Sequence, residues 1–106
     1  MRTLTNEQYL ASCGITPAHV AYSEMLARME HYGENKWWMS DDPRVRAYYQ
    51  VLEMNKSGYG FYSLAQCQRD VAVLLDRPVL GVEFATKNAA YLRQSVERAW
   101  EKGQSK

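Results

Sequence analysis

Apolar residues recur at helical spacing in five stretches of this chain, and glycines, prolines and capping residues separate them. The first opens at Thr5 with Gln8 three residues later, a capping-box pattern, and Leu4 and Tyr9 are placed as a hydrophobic staple. It is short and stops at Gly14. Thr16-Pro17 predicts the start of the second helix, an N-cap followed by the residue best suited to the first helical position. Tyr22, Met25, Leu26 and Met29 follow its i, i+3, i+4, i+7 rhythm, and Gly33 ends it.

Asp42-Pro43 restarts a helix by the same logic, with Val45, Tyr48, Val51 and Leu52 as its apolar stripe to about Met54. Residues 55–60 read as a loop on glycine and turn chemistry. Ser63 with Gln66 gives a second capping box, and Leu64, Cys67, Val71, Leu74 and Leu75 form the stripe of the fourth helix, which Pro78 terminates. Residues 79–85 fit either a short extended piece or an early start of the last helix. From about Thr86 the pattern is helical, with Ala89, Leu92, Val96 and Ala99 or Trp100 on one face, and Gly103 opens a polar tail.

One marginal strand candidate has nothing to pair with, so the expected fold class is all-α. The expectation is one domain over residues 1–106, a small helical bundle of four main helices plus a short N-terminal one, with a polar tail at about 103–106. At 106 residues the chain has room for one core and can bury roughly 65% of its unfolded surface without disulfides or metals.

Charge narrows the function classes. A net charge of +1 argues against the broad basic field of a dedicated non-specific nucleic-acid binder. No apolar run approaches the roughly 20 residues of a membrane span, and the N-terminus carries no secretory pattern. Cys13 and Cys67 lie far apart without metal-type spacing, as expected of reduced thiols in a cytoplasmic protein.

No motif spells out a reaction. His19 and His31, read on one helix, fall about 120° apart around its axis and cannot share an ion. Glu24, Arg28 and His31 form a polar stripe that reads as a solvated face with a Glu-to-Arg pair. Asp41 and Asp42 are explained as helix-capping residues rather than metal ligands. Cys13 lies at the wrong helix end for activation, Cys67 falls on an apolar stripe, and no phosphate-binding glycine loop is present. The expected set of catalytic residues, metals and cofactors is therefore none.

The aromatic residues remain: eight Tyr and three Trp in so short a chain. Trp37, Trp38 and Met39 fall in one connection, and Tyr59 and Phe61 in the next. Trp, Tyr and Met are enriched at protein interfaces, whereas aromatic loops in small domains also fold back onto the core. One of the two tryptophans is expected inside, leaving the other as candidate surface. The leading reading is a non-enzymatic interaction module with a protein partner or self-association, using Trp37, Trp38, Met39, Tyr59 and Phe61. The alternative is a nucleic-acid-binding regulator using Lys87, Arg93 and Arg98 of the last helix. A weaker one is a small enzyme or ligand binder with a pocket between helices.

Overall fold

A computed structural model describes residues 4–58 and 60–104. They form five α-helices and no strand: α1 Asn6–Ser12, α2 Tyr22–His31, α3 Pro43–Ser57, α4 Leu64–Leu75 and α5 Ala89–Gln104, with 3-10 turns at Trp37–Met39, Gly81–Phe84 and Thr86–Asn88. All-α is thus the observed class. The radius of gyration, 13.9 Å, is close to the roughly 13 Å of a compact chain this long. No helix among the described residues is long and apolar enough to cross a membrane.

The caps explain most boundaries. Thr5 accepts from the Gln8 backbone N–H at 3.1 Å while the Gln8 side chain accepts from Thr5 N–H at 2.9 Å. Asp42 accepts from Arg44 N–H at the head of α3, whose Pro43 needs no donor partner there. Gly58, at φ 82°, closes α3 in a conformation that disfavours other residues. Ser63 caps α4 by accepting from Gln66 N–H, but the Gln66 side chain turns to Asp70 instead of completing the box.

Several boundaries differ from the pattern-based expectation. α2 starts at Tyr22, not Pro17, because His19 Nδ1 accepts the Ala21 N–H at 3.1 Å. A helix begun at Pro17 would have sent that N–H to the Pro17 carbonyl; a local side-chain bond has won. His19 therefore precedes α2 rather than sharing it with His31. α3 runs to Ser57, beyond Met54, and α5 passes through Gly103 to Gln104. Residues 81–84 are neither extended nor α-helical but a 3-10 turn.

α3 is the central element, with a core on each side. Toward α1, α2 and the Trp37–Met39 turn, the cluster of Leu10, Met25, Met29, Trp37, Trp38 and Phe61 is buried against Val45 and Tyr49 of α3. Toward α4 and α5, Ala47 and Val51 pack with Cys67, Val71, Val79, Leu92 and Val96. Tyr62 touches both clusters. Leu64, expected on the buried stripe of α4, is half exposed. Gln50 spans from α3 to the 60–62 connection, accepting the Phe61 N–H at 2.9 Å and donating to the Tyr62 carbonyl at 3.1 Å. Gly60 makes room for it: a Cβ there would lie 2.5 Å from Gln50 Nε2.

Replacing Gly60 with Ala should displace Gln50 and leave its buried amide unpaired, lowering stability by about 1–3 kcal/mol in a urea titration. Unchanged stability would show that the clamp carries no weight.

Candidate interaction site

The aromatic tract goes inward. Trp37 and Trp38 are only 2% and 3% exposed and Phe61 2%. The exposed surface expected at these residues is thereby corrected: both tryptophans are core. Adjacent residues in an extended loop point apart, but the Trp37–Met39 segment is a 3-10 turn, and its curvature lets both rings enter one cluster. Trp37 stacks on Phe61 (5.1 Å, 17°) and on Tyr49 (5.7 Å, 18°), while Trp38 meets Trp37 and Phe61 edge-on. Met39 is half-buried against the same cluster. Tyr59 lies outside the described residues.

Tyr32 is the functional-looking residue that the pattern missed. Its ring makes T-shaped contacts with Trp37, Trp38, Tyr49 and Phe61, and its hydroxyl donates to Glu53 Oε1. Glu53 is fully buried and also accepts Arg28 Nε at 2.7 Å and Arg28 Nη2 at 2.9 Å, with Ser57 Oγ at 2.6 Å. Arg28 thus reaches across to α3 rather than pairing with Glu24 on a solvated face, which corrects the polar-stripe expectation. Burial pushes the Glu53 carboxyl upward, but the bonds from Arg28, Ser57 and Tyr32 outweigh it, and its pKa falls to about 2.

A second buried carboxylate ties α3 to α4. Asp70 accepts Arg46 Nε and Nη2, each at 2.9 Å, and Gln66 Nε2 at 2.9 Å; Arg46 also donates to the Ser40 carbonyl at 2.7 Å. Burial raises the Asp70 pKa and these donors more than compensate, so it stays below the usual range. The Tyr62 hydroxyl lies in the field of Asp70 and Arg46 but outside hydrogen-bonding geometry. Both carboxylates are saturated with donors, which suits them to holding helices rather than moving protons. Burial pushes the Cys67 thiol up to about 12, which leaves it inert as a nucleophile. No three His, Cys, Asp or Glu side chains among the described residues are grouped to hold a metal ion.

The last-helix cations do not converge. Lys87 belongs to the turn before α5, Arg93 lies 4.0 Å from Glu97, and Arg98 is about 140° around the helix from Arg93. They are three separate surface charges.

The surface feature that does gather residues is a groove of about 620 Å³ between the start of α3 and the ends of α4 and α5. Val45, Val73, Leu75 and Trp100 line it, together with Arg44 and Lys102. Trp100 is held by stacking on Tyr48 at 4.5 Å and 11°, and Val73 is half exposed. Helix periodicity offers Ala99 or Trp100 for the core face; both are partly exposed and line the groove. No family model, curated protein or solved structure matches the chain.

Glu53 supplies the pH dependence. Its folded pKa lies below its unfolded one, so its contribution is complete above about pH 4.5 and is lost as pH falls toward about 2. Thermal unfolding of Glu53→Gln at neutral pH should show a loss of about 3–5 kcal/mol, because Arg28 and Tyr32 keep a poorer partner. The acid-side decline in wild-type stability between about pH 5 and 2 should flatten in the variant. An equally steep decline would assign it to other carboxylates.

Proposed function

We propose that this protein is a non-enzymatic protein-interaction module: a small adaptor, inhibitor or regulatory subunit. In this reading it works in the cytoplasm as a single domain over residues 1–106. Its helices α2 to α5 form a small bundle, with α1 appended. The observation that supports it best is the groove: apolar Val73, Leu75 and Trp100 stand at a surface opening beside Arg44 and Lys102. An apolar centre with charged surroundings is the anatomy of a protein-binding patch, and a pre-stacked Trp gives contact area at little entropy cost. The partner is another protein or a second copy of the chain. Trp37, Trp38, Met39 and Phe61 enter this reading as the frame behind the binding face, unless their cover is lifted as argued below.

Val73→Glu places a charge in the groove at a half-exposed position that the fold tolerates. Capture from native lysate and sedimentation of the purified protein should show partner binding or self-association weakened by roughly tenfold or more. The helical circular dichroism should be unchanged. Undiminished binding by a folded variant would remove the groove from the reading. Capture of nucleic acid that declines steeply with salt and with Arg98→Ala would replace the reading by the nucleic-acid one.

A further inference from the structure

α1 is the least anchored helix that borders the aromatic cluster. It has seven residues, of which only Leu10 is buried, and a helix so short is unstable alone. Among the described residues, none of the ion pairs reaches it, whereas α2 is locked to α3 through Arg28 and Tyr32 on Glu53. Its chain-distant ties are the Tyr9 hydroxyl donating to the Phe61 carbonyl at 2.8 Å and the packing of Tyr9 and Leu10. The neighbouring Leu4 carbonyl accepts Lys36 Nζ at 3.1 Å. The connection to α2 is exposed from Thr16 to Val20 and follows Gly14, which has φ 81° and nothing within 4 Å of where a Cβ would sit.

What α1 covers is unusual. The Tyr9 ring lies 6.3 Å from that of Trp38, so α1 closes over Trp38 and Phe61. The indole N–H groups of Trp38 and Trp37 are buried without an acceptor, and Asn6 Oδ1 on α1 is buried without a donor. Buried indoles ordinarily find a partner, and the edge-on ring contacts here give them only a second-order substitute. The seat is therefore filled in shape but incomplete in polar bonding.

We propose that α1 is a detachable cover over a Trp38–Phe61 docking site. The occupant that displaces it is a short amphipathic helix of a protein partner. That helix presents an aliphatic side chain and a ring at adjacent positions, as Leu10 and Tyr9 do. It also brings an amide or carboxylate oxygen that accepts the Trp38 indole N–H. The docking role rests on the interaction-module reading but not on the groove; the opening of α1 is a property of the isolated chain. A partner shifts the equilibrium only by what it gains over α1 itself, and the unpaired indole is where that gain arises.

Native-state hydrogen exchange of the full chain tests the cover directly. The amides of Tyr9 and Cys13 in and after α1, and the Trp38 indole N–H, should exchange together, about a hundredfold faster than the most protected amides of α3 and α5. Exchange of α1 only with the global unfolding of α3 would overturn the proposal. A second measurement uses a synthetic peptide of residues 4–14 as the helix. Full-length Leu10→Ala, with its own α1 loosened, should bind the peptide at least about tenfold tighter than wild type, whose seat is occupied. Equal affinity, or no binding by a variant whose α3 and α5 remain protected, would overturn it. If Leu10→Ala unfolds altogether, the wild-type exchange pattern still decides. Failure of the groove variant to lose its partner would leave these exchange results unaffected.

Discussion

The stacking of Trp37 on Tyr49 and Phe61 is the contact on which the N-terminal half of the molecule depends. It brings together three pieces of chain with no backbone pairing between them: the Trp37–Met39 turn, the middle of α3 and the connection before α4. Each large ring fully removed from water contributes about 1.5–3 kcal/mol, so Trp37 held between Phe61 and the half-buried Tyr49 supplies a sizeable share of a small domain's stability. α2 then packs on rings already fixed, and Tyr32 carries the link from that cluster to Glu53. α3 joins this aromatic core to the aliphatic core formed with α4 and α5.

The buried charges follow from the same arrangement. α3 presents Glu53 toward α2 and Arg46 toward α4, one acid and one base about two turns apart along the same stripe of one helix. A buried pair adds little net stability over a well-packed apolar contact, yet either partner alone is strongly unfavourable. Losing one partner of either pair therefore costs more than the intact pair contributes. With these groups internally saturated, the proposed binding role falls to the Trp100 groove and the cluster beneath α1.

Helix identity was legible because it rests on short-range signals: Thr5 with Gln8, Asp42-Pro43, Ser63 and the 3.6-residue apolar rhythm all act within one or two turns. The start of α2 was misread because His19 offers a competing bond to Ala21, a choice that helix propensity alone does not reveal. Trp37 and Trp38 were misplaced for a related reason. Whether two adjacent rings share a pocket depends on the backbone curvature between them, which the residues after Lys36 do not advertise. Arg28–Glu53 and Arg46–Asp70 span 25 and 24 positions, and nothing local to either residue names its partner. The groove was illegible because it is a gap between the ends of three helices, whose relative placement is set by the two cores.

Quenching of native tryptophan fluorescence by iodide tests most directly whether the aromatic tract is the core of the N-terminal half. Iodide is charged and does not enter apolar interiors, and of the three tryptophans only Trp100 reaches the surface. The structure predicts that Trp100→Phe abolishes nearly all quenching of the folded protein, with Trp38 shielded while α1 is closed and Trp37 quenchable only across the cooperative unfolding transition. Strong quenching of folded Trp100→Phe would contradict it, because Trp37 or Trp38 would then face water.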